Sequence, residues 1–308
     1  MDGYELSEIV VATDGSDPAE AAVGEAIALA AAVGARVHPC AVVDPYLTGQ
    51  RVTDVAKLRS DASERVEAAA ERAREAGVDA DPVVREGTPH EEIGAHVESV
   101  GADLLVVGTH GRRGARRVLL GSVAEKVIRT ATVPVLAVHG GDERPTWGDG
   151  SRLLVATDGS TAAVPAERVG VGLAAALNAD ITAVSALDEA EALAGACGGA
   201  LSTEVVESVR SALAERAERA VDRVRDRAEA AGVDAEGEVI GGEPIGAIRD
   251  HAADVDADLV VVGTHGRTGV RRVLLGSVAE GIVRSADRPV LVVPSAMDED
   301  ADENVDGN

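Results

Sequence analysis

The sequence predicts an α/β protein made of two tandem, doubly wound domains, each with a five-stranded parallel sheet. The first observation is an internal repeat: residues 104–138 match residues 259–293 without gaps, and 25 of the 35 positions are identical. The second is that β-branched runs alternate with helical segments in the order βαβαβαβαβ. This order predicts parallel strands joined by right-handed crossovers.

The first part of each domain is predicted from the N-terminal half. The run "IVVAT" (9–13) is continuously apolar, as is typical of a strand buried on both faces. Helical periodicity follows over 17–34 and ends at Gly34, a good C-terminal stop. The next elements are a second strand, a long helix closed by Gly77 and a third strand, over 36–44, 53–76 and 81–87.

A capping box is predicted at the start of the next helix, which covers 88–101. Thr88 would be the N-cap, Pro89 the first helical residue and Glu91 the third, so that Thr88 and Glu91 satisfy each other's backbone amides. The half then closes with a fourth strand, a helix and a fifth strand, over 102–111, 122–131 and 133–139.

The spacing between the repeats gives the domain organisation. "IVVATDGS" (9–16) matches "LLVATDGS" (153–160) at an offset of 144, whereas the later block matches at 155. The second half therefore carries about eleven extra residues between Asp188 and Ala228, predicted in the loop 193–201. The predicted division is a first domain, a linker, a second domain and an acidic, solvated, disordered tail, over 1–140, 141–150, 151–297 and 298–308.

The charge balance limits the partners. The chain has 54 acidic and 29 basic residues, and its only lysines are Lys57 and Lys126. Such a surface stays hydrated where salt screens charge repulsion, which indicates a halophile; an acidic mesophilic protein is the alternative. Nucleic acid is excluded as a general partner because no basic footprint exists. No signal peptide, membrane span or metal-site spacing is visible, and Cys40 and Cys197 fit small core residues of a cytoplasmic protein.

A glycine-rich loop follows the fourth strand in both halves. It has the pattern G-x2-G-x9-G-S, at Gly108, Gly111, Gly121 and Ser122 and again at Gly263, Gly266, Gly276 and Ser277. Glycines allow close backbone approach, and the N–H groups of a helix N-terminus favour phosphate. The pattern S-x-x-E from Ser122 to Glu125, repeated from Ser277, would equally be a simple capping box. The spacing alone leaves both interpretations open.

Two commoner nucleotide motifs are excluded. The loop lacks the lysine of a Walker P-loop, and no G-x4-G-K-[ST] occurs in the chain. The dinucleotide fingerprint belongs after the first strand, where this chain has "TDGS" instead.

With "VVATDGS", "VVGTHGR" and "RRVLLGSVAEKVIRTATVPVLAV", each present in two versions, the chain resembles a tandem universal stress protein of the UspA-like type with an ATP-binding motif. The resemblance covers nearly everything except the linker and the tail. It implies Rossmann-like domains, similar to the adenine-nucleotide alpha hydrolases, that bind ATP in both halves, with Mg²⁺ as an open question.

Carried over by position, the resemblance implies phosphate contacts from the loop, ribose or phosphate contacts after the first strand, and adenine contacts from the second strand. The implied residues of the first half are Asp14, Val42, Gly108, Thr109, His110, Gly111, Gly121, Ser122 and Val123. Those of the second half are Asp158, Ala186, Gly263, Thr264, His265, Gly266, Gly276, Ser277 and Val278. The second half has "SALD" (185–188) where the first has "AVVD" (41–44), which puts its adenine contacts in doubt.

Several of these residues have a structural alternative. Asp14 could hold a ribose hydroxyl or Mg²⁺, or it could satisfy the N–H groups of its own turn. His110 and His265 fit hydrogen-bonding turn residues better than catalysts. No catalytic residue is predicted, because no base with an orienting partner is visible.

Three functions remain at this point. The first is a stress-response module that binds an adenine nucleotide with little or no hydrolysis. The second is a slow ATPase or phosphotransferase in which Asp14 or His110 places the water, and the third is a structural interaction protein with empty loops. The resemblance also implies that the fifth strands pair across a pseudo-two-fold axis, making an intramolecular pseudo-dimer, and a further homodimer is left open.

Overall fold

The computed structural model describes residues 4–45, 52–109, 120–140, 147–188, 203–264 and 275–298. Within these residues each half shows five strands alternating with four helices, as the sequence predicts. In the first half these are β1 Glu8–Ala12, α1 Asp17–Val33, β2 Arg36–Val43, α2 Val52–Glu75, β3 Val83–Glu86, α3 Pro89–Val100, β4 Leu104–Gly108, α4 Ser122–Thr130 and β5 Val135–Val138.

The second half repeats this order. Its elements are β6 Arg152–Ala156, α5 Val164–Leu177, β7 Asp180–Leu187, α6 Thr203–Ala230, β8 Ala235–Gly241, α7 Pro244–Asp254, β9 Leu259–Gly263, α8 Ser277–Ser285 and β10 Val290–Val293. A single 3-10 turn, Thr161–Ala163, precedes α5, and another, Ser295–Asp298, follows β10.

The ten strands form one continuous sheet. Its order is β3-β2-β1-β4-β5-β10-β9-β6-β7-β8, and all neighbours are parallel except one pair. That pair is β5 and β10, which run antiparallel with Leu136 opposite Leu291. The predicted pairing of the two fifth strands is therefore confirmed, and it buries an edge that each half would otherwise expose.

Helices cover both faces of the sheet, and the cores on both faces run through the two halves. One core cluster joins residues of α1 and α5, including Leu29 and Leu173, and the other joins α4 and α8, including Ile128 and Ile282. These cores are aliphatic, as the near absence of aromatic residues requires. Trp147 is an exception: it is buried in the first cluster, and its indole N–H donates to Glu25 Oε2 at 3.0 Å.

The start of α3 differs from its predicted form. Thr88 is the N-cap of α3 with Pro89 following, but the Thr88 side chain makes no capping hydrogen bond with the described residues. The predicted capping box is therefore wrong at this helix; Glu92 instead pairs with Arg85 at 2.8 Å. In the second half Glu243 occupies the equivalent place and does cap α7, accepting from Ile245 and Gly246.

The extra residues of the second half are divided between a connection and a helix. Seven of them lie between β7 and α6, where the chain has residues 188–202 against 44–51 between β2 and α2, and most of these lie outside the described residues. Helix α6 has 28 residues and α2 has 24, which accounts for the other four. The predicted loop, 193–201, lies outside the described residues, and so does Cys197; Cys40 is buried, as predicted.

Candidate functional site

The predicted site residues follow strands that meet at one edge of the sheet. In each half the strand order is 3-2-1-4-5, so the chain moves to one side of the first strand for strands two and three and to the other side for strand four. The crevice between the first and fourth strands is therefore a topological switch point, where open α/β sheets bind ligands. Ala12 lies opposite Val107, which places the Asp14 turn next to Gly108 and Thr109.

The turn after the first strand has the same geometry in both halves. Gly15 has φ = 74° and donates its N–H to Thr13 Oγ1 at 3.2 Å, while Ser16 N–H donates to Asp14 Oδ1 at 3.0 Å. The second half reproduces these bonds at 3.2 and 2.9 Å, in the turn Thr157, Asp158, Gly159 and Ser160. One carboxylate oxygen of Asp14 or Asp158 thus shapes its own turn, as in the structural alternative.

The glycine-rich loop is closed at its base. Thr109 is completely buried, and its N–H donates to Val138 O at 2.9 Å. Its carbonyl accepts from Gly121 N–H at 2.7 Å, so the two ends of the motif are brought together. The second half has both bonds at the same lengths, from Thr264 to Val293 and from Gly276 to Thr264.

The helix after the loop begins one residue earlier than a serine cap would require. Gly121 is the N-cap, with φ −65° and ψ 144°, and Ser122 is the first helical residue; Gly276 and Ser277 have the same places in α8. The S-x-x-E capping box is therefore wrong. Glu125 N–H makes the first intrahelical bond, to Gly121 O, so the amides of residues 122–124 precede the ladder and suit an anion.

Gly108 has a packing reason of its own. A Cβ on Gly108 would lie 2.6 Å from the Pro18 carbonyl carbon and 2.8 Å from Ala19 N, which is closer than side chains tolerate. The first turn of α1 therefore rests on the end of β4. The first glycine of the motif is explained by this contact without any ligand.

The two predicted adenine positions are structurally equivalent. Val42 and Ala186 are each the seventh residue of an eight-residue strand, two residues beyond the partner of the last residue of β1 or β6. Both are partly buried against the second core cluster. The change from "AVVD" to "SALD" thus alters side chains but not the backbone register. Ser122, Val123 and Ser277 are exposed, and Val278 is partly buried.

The remaining predicted residues are in the loop interiors. His110, Gly111, His265 and Gly266 lie outside the described residues. Their predicted roles stay predictions.

Sequence reasoning missed a buried ion pair behind the second turn. Glu167 is completely buried on α5 and accepts from Thr157 Oγ1 at 2.6 Å. Arg223 of α6 donates to both carboxylate oxygens of Glu167. The hydrogen bonding with Glu167 raises the pKa of the Arg223 guanidinium, and the charge of Asp158 raises it further. An acidic residue in the apolar stripe of a helix was the available signal.

A second set of charges joins the helices that follow the two loops. Arg129 of α4 lies 3.0 Å from Glu125 in its own helix and 3.6 Å from Glu280 of α8. Arg284 pairs with Glu280 at 2.7 Å. The two loop-bearing helices, α4 and α8, therefore contact each other across the β5–β10 pair.

The comparisons with known proteins agree with this architecture. The model of the universal stress protein family matches residues 6–139 and again residues 151–294. The chain belongs to the universal stress protein family. Its two matches cover most of the chain, as tandem copies of one family domain.

Several relatives carry the family name. A universal stress protein of Methanocaldococcus jannaschii is 33% identical over 142 residues, covering 46% of this chain and 81% of that protein. One from Mycobacterium tuberculosis (strain H37Rv) is 32% identical over 193 residues, covering 62% of this chain and 61% of that protein. The crystal structure of a universal stress protein from Archaeoglobus fulgidus covers 95% of this chain and 97% of its own, with a TM-score of 0.71 at 20% identity, which shows a shared fold.

Two further findings concern membrane spans and metal-binding groups in the part of the chain that the structure describes. In that part no helix is long and apolar enough to cross a membrane. The described residues also contain no group of three or more His, Cys, Asp or Glu side chains that could hold a metal ion.

Proposed function

We propose that this universal stress protein binds an adenine nucleotide, ATP, at the switch point of each half and acts as a nucleotide-dependent regulatory module with little or no hydrolysis. The observation that supports it best is the closed base of the glycine-rich loop. The bond from Gly121 N–H to Thr109 O at 2.7 Å brings the motif ends together beside the Asp14 turn.

The chemistry of this edge suits a phosphorylated nucleoside. The first-turn amides of α4 and the positive end of its dipole favour phosphate oxygens. The Asp14 carboxylate, one strand away, has the acceptor oxygen that a ribose hydroxyl requires. Val42, on the next strand, has an apolar side chain suited to contact adenine. The proposed residues are those predicted above in both halves, including the four in the loop interiors.

Mg²⁺ would be held mainly by the phosphates, with Asp14 or Asp158 supplying at most one protein oxygen. This fits an ion that keeps several waters and is bound through one or two carboxylates. Titration with and without EDTA decides whether the ion contributes to affinity.

The decisive experiment blocks each loop separately. Gly121→Asp and Gly276→Asp place a favoured N-cap residue at an extended N-cap position, so we expect the fold to be kept. The added carboxylate occupies the position proposed for the phosphate, and its negative charge repels that group. Isothermal titration with ATP in molar KCl should give two sites in the parent, one in each variant and none in the double variant.

Two results would overturn the proposal. If the parent protein does not bind ATP at millimolar concentration, the loops serve only the fold. If it binds but releases phosphate faster than about 1 s⁻¹, within the usual enzyme range, the protein is an ATPase.

The proposal includes the cellular compartment and the salt concentration in which the protein works. We place it in the cytoplasm, where the cell holds its ATP, and at high salt, because 54 acidic residues stand against 29 basic ones. The unfolding temperature should therefore rise steeply from 0.1 M to molar KCl, where the Debye length falls from about 10 to about 3 Å. A flat or falling dependence would favour the acidic mesophile.

A further inference from the structure

The two halves form the same turn but support it differently. Thr157 Oγ1 accepts from Gly159 N–H and also donates to Glu167, whereas among the described residues Thr13 Oγ1 only accepts, from the matching amide Gly15 N–H. In the first half the position that corresponds to Glu167 is occupied by Val23, whose side chain is completely buried. Ala68 stands at the position of Arg223, as counted from the matching ends of α2 and α6.

The fold does not require this ion pair, because the first half forms the same sheet and the same turn with Val23 and Ala68. Burying charges also carries a desolvation cost, and replacing a buried pair by apolar residues is often neutral or stabilising. The retention of Glu167 and Arg223 in one half therefore needs a reason other than folding. The pair lies directly behind a turn that carries a candidate ligand group, Asp158.

Helix α6 contacts this turn closely. A Cβ on Gly159 would lie 3.1 Å from the Ala220 Cβ and 3.7 Å from Arg216 Nε. Arg223 follows Ala220 by three residues on the same face of the helix. The guanidinium uses Nε and Nη2 for Glu167, and its charge acts on Asp158. Asp158 is half-buried, whereas Asp14 is exposed.

We propose that Arg223, held by Glu167, is a positioning residue that fixes the Thr157–Ser160 turn and the Asp158 carboxylate, and so makes the second site the tighter of the two for the nucleoside part of the ligand. The pair reaches the site through the hydrogen bond from Thr157 to Glu167, so we expect it to act on the turn that carries Asp158 and not on the phosphates. This inference rests on the proposed nucleotide binding.

The test uses the Gly121→Asp protein, in which only the second site is open. Glu167→Val together with Arg223→Ala installs the residue pair of the first half. This variant should keep the unfolding temperature of its parent but bind ATP and adenosine more weakly by the same factor, roughly tenfold, which corresponds to about 1.4 kcal/mol. Arg219→Ala is the matched control, because it removes an exposed arginine of the same helix whose ion pair, among the described residues, is with Glu215.

A conservative variant keeps the test decisive if the double replacement unfolds. Arg223→Lys retains the charge but loses the two-point contact with Glu167, so it should weaken ATP and adenosine equally while the protein stays folded. Unchanged affinity in a folded variant would overturn the inference, and so would a loss that grows with phosphate number from adenosine to ATP. If the Gly121→Asp parent itself binds no nucleotide, the proposed function of the second site fails first, and this is seen before any network variant is made.

Discussion

The first helices of the two halves each bury one glutamate, but at different positions and with different partners. In α1, Glu25 is 3% exposed and accepts from Trp147, which lies between the two repeats. In α5, Glu167 is fully buried and pairs with Arg223 behind the candidate site. One copy thus uses its buried carboxylate at the junction of the halves, and the other uses it at the sheet edge.

This difference separates what the shared motif determines from what each copy added. The hydrogen bonds of the turns and the backbone bonds of the loop bases agree within 0.1 Å between the halves, for example at Thr109 and Thr264. The buried charges do not agree at all. The motif therefore specifies backbone geometry, and the surrounding helices set the electrostatics of each site.

The largest expected effect comes from Arg223→Ala. It leaves the fully buried Glu167 without its cation, and breaking such a pair costs about 3–5 kcal/mol of unfolding free energy; partial exposure of the guanidinium favours the lower end. Denaturant unfolding in molar KCl measures the loss. Ala68 at the same helix position shows that alanine itself is tolerated there.

The control for this loss is Glu167→Val with Arg223→Ala, which should recover most of the stability. If the free energy of unfolding of Arg223→Ala lies within about 1 kcal/mol of that of the parent, loss of the cation does not destabilise the buried Glu167 carboxylate. The two halves would then differ at these positions in packing but not in electrostatics.

A smaller loss is expected from Gly108→Ala, which tests whether the halves share the packing role of the first motif glycine. The new Cβ would contact the Pro18 and Ala19 backbone at 2.6–2.8 Å, and overpacking of this kind costs about 3 kcal/mol. Gly263→Ala should cost a similar amount if the halves are alike here. Gly94→Ala, where a Cβ meets nothing within 4 Å, is the matched control and should be neutral or stabilising.

His96 of α3 should make the stability of the protein sensitive to acid. Burial, with the nearby His38 and Arg85, lowers the pKa of His96 to about 4. Between pH 6.5 and about 4 the unfolded chain binds a proton that folded His96 does not, so stability falls as the pH falls, by about 2 kcal/mol at pH 5. His96→Gln should remove this loss in unfolding titrations at pH 7 and pH 5.

The matched variant is His251→Gln. His251 occupies the same helix position in the second half, but its Nε2 lies 3.8 Å from a Glu238 carboxylate oxygen. An equal change of acid sensitivity in the two variants would contradict the assignment to His96.

The sequence predicted the order of elements because the repeat and the hydrophobic runs are local signals. Gly34 and Gly77, both at positive φ, follow the ends of α1 and α2, where they were predicted as glycine stops. Capping was predicted less well, since S-x-x-E does not tell whether Gly121 or Ser122 leaves the helix. The Glu167–Arg223 pair could not be predicted, because its partners are 56 residues apart and meet only through tertiary packing.

The smallest effect concerns the contact between the two loop-bearing helices. Arg129 pairs with Glu280 of the other half at 3.6 Å, and both side chains are more than a quarter exposed. A double-mutant cycle with Arg129→Ala and Glu280→Ala should give a coupling of about 0.5 kcal/mol, falling with salt, as for other exposed pairs. Arg284 pairs with Glu280 of its own helix, so the cycle of Arg284 with Glu125 is the control and should give a smaller value. Equal couplings would mean that the halves meet here symmetrically, and that the differences between them lie elsewhere, as at Glu167 and Arg223.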